Sequence, residues 1–478
     1  MGFSAVISEA KIIEAIDAAN SKFIWCWERF QKFKRFEMER EELFEFQVKL
    51  AKGISHLDHT YRRIKAEQER LIGRKTSYTP AWFARRIAKL DLYLKAIKEA
   101  IGIGRGIGDG FAWIFYQAER ELLDEHAKEQ RQLLLPPAVG GIGELAFIAK
   151  MQGLGGTFIL YHAITSYLRL GDFSFFNPET GEVSAIGELK TRHEAGDTYT
   201  VTLGYVTGDS KSFVLEGAEH ATANDSNYKP LDKPTQQKLD RQMSQLSKAI
   251  GKRVKSNDNL PVVFQGKFHF DTLDRLLREC GEKRFEMGQA GPGLVLGAWR
   301  LRHKDSLGKR FLKMGGNLDA AVQPVKDSVS VTLNSDFADN SLFIGSLASP
   351  ESGFPVLVKG GIPMLWWPLG EQQMHDLLFG HVMVMSFFNP AQLWHILRSR
   401  GYDVVVNDRY RAVKLIKQIG NRRIEVENFS YFEQLTPYAL MDEHAVAGMI
   451  DAWVAQAIAA AGDRPTKIVM RPRFMEGA

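Results

Sequence analysis

Between Leu168 and Lys190, two runs that alternate apolar and polar side chains flank the turn-forming residues Asn177-Pro178-Glu179-Thr180-Gly181. Alternation with a period of two, bounded by Asn, Pro and Gly, predicts a β-hairpin. Phe173, Phe175, Ile186 and Leu189 carry apolar groups to both faces, so a hairpin covered on each side is expected. Asp172, Glu188 and Lys190 then fall where charge is costly. Pairing Phe176 with Glu182 sets Asp172 opposite Ile186 and Leu170 opposite Glu188, which makes the two acids diagonal neighbours on one face. Lys190 shares that face by the strand's period. The alternative is an exposed hairpin in which Asp172 caps a turn and Glu188 and Lys190 form a surface pair.

Two carboxylates in diagonal reach on otherwise apolar strands repel unless a cation neutralises them. Mg²⁺ does this with oxygen ligands, tolerates a site built from one or two carboxylates, and completes its shell with water and a substrate phosphate. The Lys190 ammonium can orient an attacking water or stabilise charge that grows on the phosphate. These are the parts of a phosphodiester hydrolysis site.

In this arrangement the chain resembles the PD-(D/E)XK, or restriction-endonuclease-like, nucleases. Asp172 matches the first acid of that pattern and Glu188-Leu189-Lys190 the second element, while Gly171 stands where the name has proline. Gly141 to Phe147 is similar to the preceding helix, with Glu144 as its acid, followed by a strand at Thr157 to Tyr161. The amphipathic segment 232–253 is similar to the later core helix. The resemblance covers about 138–270. It implies an α/β fold with a restriction-endonuclease-like mixed sheet, Asp172 and Glu188 as ligands of Mg²⁺ or Mn²⁺, Lys190 as the catalytic ammonium, and Glu144 as an auxiliary group.

The region before this core is helical by period. Ile12, Ile16, Ala19, Phe23, Cys26, Phe30 and Phe33 follow steps of four and three, as do Phe83, Ile87, Leu90, Leu94, Ile97 and Ile101. Two long helices are expected, with Pro80 opening the second and the glycine alternation from Gly102 to Gly110 ending it. A third helix is expected from Phe111 to about Leu134. The two coiled-coil-like seams fit either a homo-oligomer or a hairpin folded within the chain. The glycine run contains no G-x-G-x-x-G, and His56-Leu57-Asp58-His59 reads as a solvated turn rather than a metal site. Pro136-Pro137 and Gly140-Gly141 mark a boundary, so a helical domain over 1–135, a nuclease-like domain over 138–335 and a C-terminal α+β domain over 340–478 are expected.

On the 232–253 helix, Leu239, Met243, Leu246 and Ile250 form one face; Lys238, Arg241, Gln242, Gln245 and Lys248 form the other. The polar face suits either contact with a phosphate backbone or plain solvation. Arg300, Arg302, His303, Lys304, Lys309, Arg310 and Lys313 form a second basic cluster that also reads as an exposed loop. Pro261 to Phe270 reads as a strand, with Asp271 capping a helix that runs to Cys280.

A net charge of +5 over 478 residues supplies little long-range attraction, so any nucleic-acid surface must be local. Two cysteines exclude a disulfide framework, and the absence of a leader pattern at Met1 to Val6 points to the cytoplasm. The most apolar windows, Leu377 to Trp394 and Ala445 to Ala461, are interrupted by polar residues, so no membrane span is expected. The expectation is a metal-dependent nuclease acting on DNA rather than RNA, in a layout that resembles standalone bacterial anti-phage defence effectors. The alternative is a nucleic-acid-binding or scaffold protein that keeps the fold without the activity.

Overall fold

A computed structural model describes residues 7–117, 119, 122–123, 125–126, 157–195, 198–208, 212–218, 233–255, 266–300, 305–312, 329, 343–347, 362–407, 412–427, 429–461 and 467–470. The architecture is α and β mixed, with helices first and sheets after. Two compact units divide the chain: residues 1–259 with 306–312, and residues 260–305 with 313–478. The expected boundaries at 135–138 and 335–340 do not coincide with these divisions. In the first unit the helices and the hairpin pack together, and in the second a sheet draws strands from both sides of residue 340.

In the first unit, α1 (Glu9–Lys34), α2 (Arg40–Gly73) and α3 (Pro80–Tyr116) pack against one another. Phe23, from the first seam, is fully buried where Gly53 of α2 and Gly104 of α3 leave room for its ring. The first seam and Leu90, Leu94 and Ile97 of the second are thus buried within the chain, whereas Phe83, Ile87 and Ile101 are half-buried. The glycine run does not end the second helix; α3 continues through it. Gly104 and Gly108 lie so close to neighbours that a Cβ would meet Phe23 at 2.7 Å and the backbone oxygen of Ile164 at 2.0 Å. Close tertiary packing outweighs the helix-breaking preference of glycine, and no new helix starts at Phe111. His56 to His59 lies inside α2 and not in a turn, with Asp58 buried and paired with Arg62 at 2.8 Å.

A five-stranded sheet follows, β1 (Phe158–Tyr161), β2 (Phe173–Asn177), β3 (Glu182–Ala195), β4 (Thr198–Thr207) and β5 (Ser212–Ala218), in that spatial order. Every pairing in it is antiparallel, so the mixed sheet is not what these strands form. At the edge strand β1, the buried Gln47 amide of α2 donates to Ile159 O (3.0 Å) and accepts from Tyr161 N (2.8 Å). This replaces a missing strand and protects the edge. Helix α4 (Lys233–Lys255) packs on β3 and β4.

The second unit opens with α5 (Phe270–Lys283), which begins one residue before Asp271 and is preceded by an isolated bridge between Phe268 and Met441. The strand expected over 261–270 is thus absent at 266–270, and its first half lies outside the described residues. Strands β6 (Phe285–Gln289), β7 (Leu294–Arg300), β8 (Phe343–Ser346) and, after α6 (Glu371–Leu378), β9 (Val382–Phe388) form a sheet in the order β6-β7-β9-β8. After α7 (Pro390–Ser399), the strands β10 (Tyr402–Val406), β11 (Ala412–Ile419) and β12 (Arg422–Glu427) build another sheet. Short helices α8 (Ser430–Glu433) and α9 (Leu435–Ala439) lead to α10 (Glu443–Ala461) and β13 (Lys467–Met470), which completes that sheet. By length and composition α10 could cross a membrane. Its Asp451, however, is bonded to Arg400 (2.8 Å), Tyr402 (2.8 Å) and Lys417 (3.1 Å).

Candidate active site

Asp172 sits immediately before β2, held on both sides through its backbone. Its N–H donates to Gly187 O at 2.7 Å and its carbonyl accepts from His162 N at 3.0 Å. Gly171 has φ +73°, and a Cβ there would lie 2.6 Å from Ile186 Cγ2. Proline, fixed near −65°, cannot adopt this angle, which accounts for the departure from the motif's name.

The register differs from the expected one. Asn177, not Phe176, closes the hairpin on Glu182, and the ladder shifts by a residue between Phe175 and Phe176. At this bulge the Ser184 hydroxyl donates to Phe175 O at 3.0 Å. Phe173 therefore pairs with Gly187, which brings Asp172 alongside Glu188 rather than opposite Ile186. A bulge re-aims side chains in this way. The Asp172 carboxylate accepts the Leu189 N–H at 2.8 Å, bridging the two strands.

Glu188 is buried at 6% exposure, with Oε1 accepting from Gln242 Nε2 (2.8 Å) and Oε2 from Lys190 Nζ (3.1 Å). Burial first, and the neighbouring Asp172 charge second, push its carboxyl up to about 8 against the opposing pull of Lys190. Gln242 reaches it because α4 crosses β4 at Gly204, the ladder partner of Glu188, where a Cβ would meet Met243 Sδ at 2.8 Å. Gln242 therefore belongs to the inner face of α4, a correction to its place among the outward residues. The polar character of the side chain hid an inward position. Its Oε1 is buried with no hydrogen-bond partner among the described residues.

Lys238, Arg241, Gln245 and Lys248 are exposed and follow one another at helical spacing along α4. Glu144 and its helix lie outside the described residues, as do Arg302, His303, Lys304 and Lys313. The remainder of the second basic cluster is not a single exposed loop. Arg300 is paired with Asp376 at 2.7 Å in the second unit, and Arg310 is buried in the first.

Behind Asp172 lies a buried polar chain that periodicity and motif reading did not reveal. His126 Nδ1 accepts the backbone N–H groups of Arg169 (3.0 Å) and Leu170 (2.9 Å), which leaves Nε2–H to donate to the Tyr116 hydroxyl at 3.2 Å. Tyr116 is bonded to Ser174 Oγ, Ser174 Oγ to His162 Nε2 at 2.5 Å, and His162 Nδ1 lies 2.9 Å from Gly171 O. This sequence orders every proton with both imidazoles neutral and fixes the segment that carries Asp172. Burial lowers both histidines, His162 from 6.5 to about 4. Between those values the unfolded chain binds more protons than the folded one. The stability this contributes is complete above the unfolded value and is lost as pH falls through about 4. Two buried carboxyls titrate the opposite way, Glu188 and Asp109, the latter pushed up to about 7 by burial. In an Asp109→Asn, Glu188→Gln chain, which lacks both, Tm is expected to drop by about 5 °C between pH 7 and pH 5. A flat profile over that interval would contradict the neutral assignment.

No protein-family model, curated protein or solved structure matches this chain.

Proposed function

We propose that the chain is a Mg²⁺-dependent nuclease that hydrolyses phosphodiester bonds, of DNA in preference to RNA. The observation that carries this reading is the meeting of the Asp172 and Glu188 carboxyls beside the Lys190 ammonium, with Glu188 buried deeply enough to hold a proton until about pH 8. A site that retains a proton so tenaciously is one where a divalent cation can take the proton's place. Asp172 and Glu188 would hold Mg²⁺ or Mn²⁺, which supplies charge neutralisation at the phosphate and a more acidic bound water. Lys190 stabilises charge developing on the phosphate, Gln242 holds Glu188 in place through its Nε2, and Glu144 is the auxiliary acid. Lys238, Arg241, Gln245 and Lys248 contact the phosphate backbone, which positions the strand without reading its bases.

Supercoiled plasmid and single-stranded RNA, incubated with the whole chain and Mg²⁺ or Mn²⁺, provide the test. The wild type is expected to nick plasmid only with metal, and Asp172→Ala to lose at least about 100-fold in rate. Equal cleavage by the two proteins overturns the assignment. Metal-independent retention of plasmid without nicking would instead favour the non-catalytic, nucleic-acid-binding alternative.

A further inference from the structure

The second unit contains three side chains from distant parts of the sequence whose donor atoms converge. His269 precedes α5, and Asp442 and Glu443 open α10. The Phe268–Met441 bridge places the two segments side by side, with His269 N donating to Leu440 O (2.8 Å) and Asp442 N to Lys267 O (2.9 Å). His269 Nε2 lies 3.3 Å from Glu443 Oε2 and 4.0 Å from Asp442 Oδ2, and the three donor atoms all lie within 4.8 Å of one another.

Each carboxylate is oriented by backbone amides through its other oxygen. Asp442 Oδ1 accepts from His444 N (2.9 Å) and Ala445 N (3.2 Å), and Glu443 Oε1 accepts from Gly293 N (2.8 Å). Oδ2 and Oε2 are left facing the imidazole. Such outer contacts are what hold metal-ligating carboxylates in place. Glu443 is completely buried, where an uncompensated carboxylate is costly. A third feature is independent of the ligands' own bonds. At Gly291 a Cβ would lie 2.4 Å from Glu443 Oε2 and 2.8 Å from His269 Nε2, yet its φ is not in the left-handed region. Glycine is needed there for space beside the donors and not for backbone freedom.

We propose that His269, Asp442 and Glu443 bind one Zn²⁺ ion, which ties α5 to α10. A nitrogen donor with two carboxylate oxygens selects a transition-row ion over Mg²⁺ or Ca²⁺. Ligands about 2.0–2.2 Å from a tetrahedral zinc stand about 3.3 Å apart, so the observed spacing needs a contraction of up to about 1.5 Å at its widest pair. The fourth position is left to water. This site is separate from Asp172 and Glu188 and does not depend on the nuclease reading.

Co²⁺ is the probe. The whole chain, stripped with chelator and kept in excess Mg²⁺, should bind one equivalent with visible d–d absorption, and Zn²⁺ should displace it and raise Tm. Glu443→Gln keeps an acceptor for Gly293 N, so the fold is expected to persist by circular dichroism while Co²⁺ affinity falls at least ten-fold. His269→Gln should show the same loss, whereas Glu188→Gln should bind Co²⁺ as the wild type does. Absence of a stoichiometric band in the wild type overturns the proposal. So does a band that survives both His269→Gln and Glu443→Gln, or one abolished by Glu188→Gln.

Discussion

Glu188→Gln is expected to abolish cleavage and, in metal-free buffer near pH 9, to raise Tm. The folded chain holds the Glu188 carboxyl protonated up to about 8 against an ordinary 4.5, so it binds a proton that the unfolded chain releases. A raised value of this kind contributes stability that is complete below 4.5 and lost as pH rises through about 8. Above that pH the wild type carries a buried carboxylate pressed against Asp172, offset by the Lys190 ammonium and the hydrogen bond from Gln242. The amide of the variant has nearly the same shape, its oxygen still accepts from Gln242, and it carries no charge. A tenfold difference in proton affinity between the folded and unfolded chains corresponds to about 1.36 kcal/mol. Even heavily discounted for the coupling with Asp172, about 2 kcal/mol remains, a Tm rise of about 4 °C or more. Near pH 5, where both side chains are neutral, the advantage should vanish. Mg²⁺ should stabilise the wild type at pH 9 and leave the variant unchanged, and cleavage should fall at least about 1000-fold. Scanning calorimetry at the two pH values, with and without Mg²⁺, decides it. A variant no more stable than wild type at pH 9, or one that keeps the Mg²⁺ response, would remove the physical support for the site.

Lys190→Ala separates the roles. Because the ammonium acts on charge that develops during reaction, its loss should lower turnover while the Mg²⁺-induced Tm rise persists.

The hairpin is legible in the sequence because its instructions are local: an Asn-Pro-Gly turn and two alternating runs. The meeting of Asp172 with Glu188 follows from it, although the ladder is displaced from the expected pairing. A bulge at Ser184 is a choice between nearly equivalent registers, and nothing in the neighbouring residue types announces it. Assigning helix faces by polarity misplaces Gln242, a polar residue whose partner lies inside. The chain of His126, Tyr116, Ser174 and His162 cannot be read from spacing, because its members come from separate segments that meet only in three dimensions. Helix α2 is obscure for a different reason. Leu50, Leu57, Ile64 and Leu71 keep a seven-residue spacing with Ile54 between the first two, but the polar Gln47 and Gln68 occupy other inward steps of the seam, and glycine at position 53 and paired histidines give the look of a turn.

The glycine run holds the other large effect. Gly108→Ala is expected to destabilise the chain by about 3 kcal/mol or more, although alanine is by propensity the better helix former by about 1 kcal/mol. The new methyl would stand 2.0 Å from Ile164 O and 2.7 Å from its carbonyl carbon, backbone atoms that cannot rotate aside as a side chain would. Overpacking of a buried contact costs about 1–3 kcal/mol where side chains can yield, so a fixed backbone places this substitution at or beyond the upper end. Gly73→Ala supplies the control. It sits at the end of α2 with nothing within 4 Å of the added methyl, and the same chemical change there should be neutral or stabilising by up to about 1 kcal/mol. Urea titration of the two variants reads the difference directly. Equal stability of Gly108→Ala and wild type would mean that α3 and the His162–Ile164 turn are not in contact. If they are, displacing Ile164 also moves His162, whose N–H holds Asp172 O at 3.0 Å. The variant that survives folding should then bind Mg²⁺ more weakly, which links the glycine run of α3 to the geometry of the acids.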